Sequence, residues 1–172
     1  MKKVYNRIMI FGRPGSGKST FAFQIHKKTN LPLYHLDKYF YTHNWVERNY
    51  KEFLSLQQEL VDQDQWIIDG NCTKSFLMRW QRADIVIYFH YPRMLCYWRV
   101  VKRLFFKDQV IDDRAVGCKE KVSWRLLTYM WSFNNRVKIR INTLKQIFPE
   151  TSFIEIRNDQ ELNCFIREFG WE

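Results

Sequence analysis

The fold is decided by Gly12-Arg-Pro-Gly-Ser-Gly-Lys-Ser19, which fills every fixed position of the phosphate-loop pattern G-x-x-x-x-G-K-[ST]. The apolar run 7–11 before this segment predicts a buried strand, and residues 20–28 after it predict an amphipathic helix. A strand, a glycine-rich turn and a helix in this order are the context that the motif requires. A chance glycine-rich turn would not explain both flanking elements, so we interpret the segment as a phosphate-binding loop.

This loop is suited to a chain of phosphates. Its glycines let successive backbone N–H groups point at an anion, and the start of the following helix adds a partial positive charge. Lys18 is expected to reach the β- and γ-phosphates, and Ser19 to place its hydroxyl on a magnesium ion. The expected cofactors are therefore ATP and Mg²⁺. The predicted nucleotide-binding residues in the loop are Gly12, Gly15, Ser16, Gly17, Lys18, Ser19 and Thr20.

Length and composition limit the class of protein. The 172 residues are expected to form one domain, 1–172, and a hydrophobic content of 46% is enough for a core. No stretch approaches the roughly 20 apolar residues of a membrane span, and no secretion signal precedes the first strand. The four cysteines form no Cys-x-x-Cys pair, which argues against a zinc or redox site and favours a reducing, cytoplasmic location.

The net charge of +10 has two interpretations. An enzyme that acts on polyphosphates needs cations around the transferred group. A nucleic-acid-binding protein needs a basic face. Charge alone does not separate the two, and part of the excess can be ordinary solvated surface.

Strand and helix patterns alternate along the chain, which predicts a parallel sheet covered on both faces. The polar segment 107–119 has no clear period and is predicted to be a loop, and a break in the last long helix is expected near residues 132–135. Trp98, Trp124 and Trp131 lie in helical patterns that favour the core. Further strands are predicted at 31–36, 66–68, 84–89 and 152–156, and helices at 46–63, 73–82, 94–106, 122–147 and 159–169.

Acidic and polar residues stand at the ends of three predicted strands, where ligands bind in parallel sheets. His90-Tyr91 closes the fourth strand. Asp69-Gly70-Asn71 follows an apolar strand, as the magnesium-binding carboxylate of phosphate-loop proteins does, although any strand running into a turn can have this pattern. Asp37 closes the second strand. It is a candidate general base or acceptor-binding residue, and the alternative is that it caps the next element.

Two pairs of arginines bracket the loop 107–119. Arg99 and Arg103 share one helix face at i, i+4, and Arg136 and Arg140 repeat this spacing on the later helix. Arginines stabilise a transferring phosphoryl group by neutralising its oxygens, and a lid that carries them would exclude water. The alternative is two solvated helix faces.

A set of motifs over nearly the whole chain resembles the DNA topology modulation proteins, a group related to adenylate kinase. The resemblance implies an α/β P-loop NTPase fold, like that of nucleoside monophosphate kinases, with three layers and a five-stranded parallel sheet. It also implies an acceptor region after the second strand and a lid inserted at about 104–135. The motifs are the phosphate loop, Tyr34-His-Leu-Asp37 with Trp45, Trp66-Ile-Ile-Asp-Gly-Asn71, Arg79 before Ala83-Asp84, Pro92-Arg93 with Leu95-Cys96, Arg99 and Arg103, Gly117-Cys118 and Trp131-Ser-Phe133.

By this resemblance, Lys18 and Ser19 match the nucleotide and magnesium positions of adenylate kinase, Asp69 matches its acidic residue, and Arg99 and Arg103 match its lid arginines. Adenylate kinases also place an arginine shortly after Asp-Gly to hold the acceptor phosphate. This chain has none before Arg79, which weakens the case for AMP as acceptor. The expected catalytic residues are Lys18, Asp37, Arg99, Arg103 and Arg136, with Arg99 also on the nucleotide. The expected metal ligands are Ser19 and Asp69, and the expected acceptor-binding residues are Asp37, Asp69, Gly70, Asn71 and Arg79.

Three functions remain open at this point. The first is a kinase that transfers the γ-phosphoryl group of ATP to an unidentified small or nucleotide acceptor. The second is a DNA-linked ATPase or nucleotide-gated DNA-binding protein, favoured by the charge, the basic stretch 136–145 and the name of the resembling group. The third is a nucleotide-binding regulator with negligible turnover.

Overall fold

The computed structural model describes residues 4–105, 115, 117–118 and 122–171. These residues form a five-stranded parallel sheet in the order β2-β3-β1-β4-β5. The strands are β1 Arg7–Gly12, β2 Leu33–His35, β3 Trp66–Asp69, β4 Ile85–Phe89 and β5 Ser152–Ile156. The helices are α1 Lys18–Thr29, α2 Leu36–Phe40, α3 Tyr50–Val61, α4 Phe76–Trp80, α5 Arg93–Phe105, α6 Trp124–Ile147 and α7 Asp159–Phe169, and a 3-10 turn, Thr73–Ser75, leads into α4.

The central strand β1 is buried on both faces of the sheet. Ile8 and Ile10 pack into a core with α1, α5 and α7. Met9 and Phe11 point the other way, into a core with α3, α4 and α6. Because successive strand side chains alternate between faces, a strand that is apolar on both must be covered on both. The layers and the parallel sheet predicted from the sequence are confirmed.

Helix α6 is continuous over Trp124–Ile147, so the expected break near residues 132–135 is wrong. The Ser132 hydroxyl donates to a carbonyl one turn earlier, within the helix. The Asn134 side chain leaves the helix and bonds to Tyr88 and His90 instead of competing for the backbone. The buried face of α6 keeps helical spacing across this region: Met130, Phe133, Val137, Ile141 and Leu144.

The three helical tryptophans that were expected in the core are exposed. The exposed fractions of Trp98, Trp124 and Trp131 are 58%, 79% and 62%, so that expectation is wrong. Helix α5 buries Cys96 and Val100 instead, which places Trp98 on its outer face. A helical pattern alone does not say which of two apolar faces meets the core.

Most of the segment 107–119, predicted to be a loop, lies outside the described residues. Helix α5 ends at Phe105 and α6 begins at Trp124, so the expected lid range 104–135 also takes in the first half of α6. Within the described part of the chain, no helix is both long and apolar enough to cross a bilayer.

Candidate active site

The phosphate loop joins β1 to α1, and its shape requires glycine. Gly15 and Gly17 have φ angles of 81° and 93°, in the left-handed region. A Cβ atom on Gly15 would lie 2.4 Å from the carbonyl oxygen of Cys96, and one on Gly12 would lie 2.6 Å from Cβ of Phe89. The glycines therefore serve both the turn and the close packing of the loop on β4 and α5.

The phosphate loop leads directly into α1, whose N-terminus has no side-chain cap. The preceding residue, Gly17, has no side chain to cap the helix, and no acidic residue lies in the first turn. The first N–H groups of a helix lack partners within it and attract anions. The Ser16 hydroxyl is also buried, without a hydrogen-bond partner among the described residues, while Thr20 is exposed. This arrangement is suited to phosphate oxygens.

Asp69 lies beside the loop because β3 pairs directly with β1. Its Oδ2 atom accepts hydrogen bonds from the Ser19 hydroxyl at 2.7 Å and from Nδ1 of His35 at 2.9 Å. Its Oδ1 atom is buried and has no hydrogen-bond partner among the described residues. The structure thus brings together Ser19 and Asp69, the two residues predicted to hold magnesium.

The surroundings of Asp69 keep it ionised. Burial alone would raise its pKa, but the charge of Lys18 and the hydrogen bonds from His35 and Ser19 outweigh burial, so the pKa is lowered. Since the folded pKa lies below the unfolded one, the ionised carboxylate stabilises the fold above the unfolded pKa. This contribution is lost as pH falls through the folded pKa.

An ionised carboxylate with an unpaired oxygen, next to a hydroxyl, fits the oxygen ligands that Mg²⁺ prefers. Among the described residues, no cluster of three His, Cys, Asp or Glu side chains could hold a metal ion by itself. Nucleotide-bound Mg²⁺ does not need such a cluster, because one or two protein oxygens act together with phosphates and water.

His35 is a site residue that the sequence analysis missed. The β2–β3 register pairs His35 with Asp69 directly, and the side chain is 8% exposed. Its hydrogen bond orients the carboxylate and leaves one carboxylate oxygen for another ligand. The available signal was its place at the end of β2, but the sequence does not say that β2 lies next to β3.

The residues after Asp69 hold the loop in place. The Asn71 side-chain oxygen accepts the backbone N–H of Gly12 at 3.0 Å. Gly70 has a φ angle of 154°, and a Cβ atom there would lie 2.6 Å from Cβ of Leu36. Both residues were predicted to bind the acceptor, and their recorded contacts are with the protein's own loop and α2.

Arg79 is placed differently from the sequence expectation. Its side chain is fully buried, and it donates to the carbonyl oxygens of Gly70 at 3.0 Å and Cys72 at 2.7 Å. Burial lowers the pKa of Arg79 to about 10, so the guanidinium stays charged at neutral pH. In this position Arg79 supports the segment after Asp69 from inside the core and does not face an open acceptor site. The sequence pattern could not distinguish a buried arginine from a ligand-binding one.

Asp37 lies in the first turn of the short helix α2 rather than at a strand end, and it is exposed. Burial raises the pKa of Tyr129, the Asp37 charge raises it further, and Arg136 lowers it. Burial and the Asp37 charge likewise raise the pKa of Tyr41. The Arg136 guanidinium lies 5.5 Å from the centre of the Tyr129 ring. We call Asp37, Tyr41, Tyr129 and Arg136 the Asp37 cluster; its two tyrosines were not predicted.

The loop between α2 and α3 is strained next to this cluster. Asn44 and Trp45 have φ angles of 45° and 64°, in the left-handed region that bulky residues avoid. The Trp45 indole packs edge-on against Tyr41, with ring centres 5.0 Å apart, and its backbone N–H donates to the sulfur of Cys118. The loop thus touches a residue from the predicted lid range.

The arginines predicted to be catalytic lie in two different regions of the molecule. The Arg99 guanidinium donates to the Ser16 carbonyl at 3.4 Å and pairs with Asp159 at 3.0 Å, beside the phosphate loop. Arg103 follows one turn later on α5 and is half-buried. Arg136 lies instead in the Asp37 cluster, over the Tyr129 ring.

No protein-family model matches this chain, and no curated protein matches it. Solved structures match it over nearly its whole length. A shikimate kinase from Acinetobacter baumannii, in complex with shikimate, is 13% identical with a TM-score of 0.56, and the match covers 96% of this chain and 93% of that chain.

Two further structures give the same result. A shikimate kinase from Bacteroides thetaiotaomicron is 16% identical with a TM-score of 0.55, covering 95% of each chain. A sugar kinase from Janibacter sp. is 13% identical with a TM-score of 0.54, covering 97% of this chain and 95% of that chain. These likenesses establish the class of fold, a kinase-like phosphate-loop α/β fold, and confirm the predicted fold class. The resemblance to DNA topology modulation proteins stays an expectation.

Proposed function

We propose that this chain is a phosphotransferase that binds Mg·ATP on residues 12–20 and passes the γ-phosphoryl group to a hydroxyl of a small acceptor beside Asp37. The observation that carries the proposal is the arrangement at Asp69. Its buried, ionised carboxylate binds the Ser19 hydroxyl and His35 through one oxygen and keeps the other without a partner among the described residues. Such a buried unpaired acceptor costs stability unless a ligand satisfies it.

At the nucleotide end, the chain's own groups bind and neutralise phosphate. Lys18 and the first N–H groups of α1 would hold the phosphate chain. Ser19 and Asp69 would hold Mg²⁺, which when bound neutralises charge on the β- and γ-phosphate oxygens. Arg99, already against the Ser16 carbonyl, would add a second cation beside the transferred group.

At the acceptor end, Asp37 would take the proton of the acceptor hydroxyl. The hydroxyl oxygen forms a bond to the γ-phosphorus while the bond from that phosphorus to the β–γ bridging oxygen breaks, and ADP leaves. Arg136 would bind an acidic or polar group of the acceptor, because its guanidinium lies 5.5 Å from the centre of the Tyr129 ring, and the charge of Asp37 acts on the same tyrosine. The similarity in fold to kinases of shikimate and of a sugar supports an acceptor with hydroxyl groups.

The test is ADP production with Mg·ATP and a panel of candidate acceptors: sugars, hydroxy acids and nucleoside monophosphates. We expect at least one hydroxyl compound to raise the rate above the rate without acceptor. If no member of the panel stimulates turnover, the proposal is contradicted. If duplex DNA alone stimulates hydrolysis, and this effect falls steeply with salt, the DNA-linked ATPase replaces it.

A further inference from the structure

A pocket lined by several polar side chains lies at the carboxyl ends of β4 and β5, and its lining includes no residue of the Asp37 cluster. It has a volume of about 340 Å³, and its lining includes Arg13, Arg93 and Arg157 together with His90 and Asn134. The backbone of Arg13 is part of the phosphate loop, but neither its side chain nor the other four residues have a role in the proposed phosphoryl transfer. The carboxyl ends of parallel strands are the usual place for ligands in such sheets.

The arginines give the pocket a positive excess. Arg13 is 2% exposed, and its guanidinium donates to two backbone carbonyls, those of Met130 at 2.9 Å and Tyr91 at 3.0 Å. A carbonyl satisfies the hydrogen bond but does not neutralise the charge. Arg93 lies over the Trp131 ring, 3.9 Å from its centre, which also leaves its charge in place.

The carboxylates beside the pocket already have partners. Glu155 contacts Nδ1 of His90 at 2.5 Å and the Arg157 guanidinium at 3.4 Å. Asp159 accepts from the Tyr91 hydroxyl and is paired with Arg99, and Glu161 accepts the backbone N–H of Arg157. Against the three guanidinium groups of the lining and Arg99, these three carboxylates leave a charge of about +1, which favours an anion.

The floor of the pocket is ordered by a chain of hydrogen bonds. The Tyr88 hydroxyl donates to the Asn134 side-chain oxygen at 3.2 Å, and the Asn134 amide nitrogen lies 2.6 Å from Nε2 of His90. A His90 ring protonated on Nδ1 satisfies the whole chain as far as Glu155. The Asn134 amide then has a second N–H available as a donor.

The N-terminus of α5 also favours an anion in this pocket. The lining includes Pro92 and Arg93, the residues at which this 13-residue helix begins, and its first turn contains no acidic residue. The first N–H groups of the helix have no partners within it, and they favour an anion.

We propose that this pocket binds a small phosphate dianion at a place separate from the ATP loop. Guanidinium groups match phosphate oxygens in geometry, and Arg13 supplies a buried charged donor beside the space. The volume exceeds that of a bare phosphate ion and falls in the range of small-molecule pockets, so a phosphomonoester fits it as well. Because Arg13 belongs to the phosphate loop by its backbone and to this pocket by its side chain, the two sites adjoin.

Calorimetry tests this proposal without relying on turnover, so its failure is separate from failure of the proposed kinase. The protein is first saturated with Mg²⁺ and a non-hydrolysable ATP analogue, then titrated with inorganic phosphate or with glycerol 3-phosphate. We expect one saturable event, weakened about ten-fold or more by Arg93→Ala and by Arg157→Ala, because hydrogen bonds between charged groups contribute this much. Arg167→Ala, which removes an exposed arginine of α7, should leave binding unchanged.

The outcomes separate the alternatives. Tighter binding of glycerol 3-phosphate assigns the pocket to a phosphomonoester, and equal binding assigns it to free phosphate; both support the proposal. Absence of a saturable event with either ligand overturns it. Because the analogue is already bound, this outcome also covers a pocket that is part of the nucleotide site. An equal loss of binding in Arg167→Ala overturns the proposal as well, since it indicates unspecific attraction by charge.

Discussion

The phosphate loop with Asp69 and the Asp37 cluster are built in different ways. Around the loop, the key groups are buried and shared: Asp69 is 3% exposed, and added Cβ atoms at Gly12 and Gly15 would lie within 2.6 Å of neighbouring atoms. Around Asp37, by contrast, Asp37 and Arg136 are exposed, Tyr41 and Tyr129 are half-buried, and the adjoining loop has strained backbone at Trp45. A phosphate chain can be bound by backbone shape, whereas an acceptor must be recognised by side chains that vary in position.

The largest effect is expected from a substitution in the phosphate loop. Lys18→Ala is expected to reduce turnover about 1,000-fold, because it removes a cation held against the transferring group. ATP binding by calorimetry should weaken as well. Lys27→Ala, an exposed lysine on the same helix, is the matched control and should behave like the parent. Equal ATP binding and turnover in the Lys18 variant would show that the loop does not hold the triphosphate.

Arg79→Ala tests whether Arg79 supports the segment after Asp69 from the core or binds the acceptor. It should lower the free energy of unfolding by about 3 kcal/mol, because two buried carbonyls lose a charged donor and a cavity forms. Arg82→Ala, near the surface on the same segment, should cost less than about 1 kcal/mol. Urea unfolding measures both. If the Arg79→Ala protein is stable and its acceptor KM is raised, Arg79 binds the acceptor instead.

Asp37→Asn tests the acceptor side directly. We expect kcat with the best acceptor to fall about 100-fold while the Kd for Mg·ATP stays the same, because a general base is lost and the loop is untouched. Asp62→Asn, an exposed carboxylate at the end of α3, is the control. Loss of ATP binding together with kcat in the Asp37 variant would contradict the separation of the two regions.

The smallest effect is expected at the strained loop. Trp45→Gly should raise the acceptor KM about ten-fold, because the lost ring packs against Tyr41 of the Asp37 cluster and so borders the proposed acceptor site. Stability should change by less than about 1 kcal/mol, because relief of backbone strain offsets the lost contact with Tyr41. Trp98→Ala removes another exposed indole and should leave KM unchanged. A large stability loss in Trp45→Gly, with KM unchanged, would assign the tryptophan to folding alone.

Local motifs predicted the shape of the phosphate loop and the position of Asp69 beside it. Both follow from glycine spacing and from apolar strands, because a few consecutive residues determine this backbone shape. The Asp37 cluster was predicted only in part. Asp37 and Arg136 were each suspected, but 99 residues separate them in the chain, and nothing local indicates that α6 lies beside α2.

The sequence by itself therefore determined the class of fold and the conformation of the loop 12–20, since glycine geometry and two-sided apolar strands act over short stretches of chain. Only the tertiary structure decided that His35 meets Asp69, that Arg79 lies in the core, and that Asp37 and Arg136 face one group. Each of these outcomes depends on the strand order and on which helix face is buried. Both follow from the packing of the whole chain, because segments that are distant in sequence bury their apolar surface against one another.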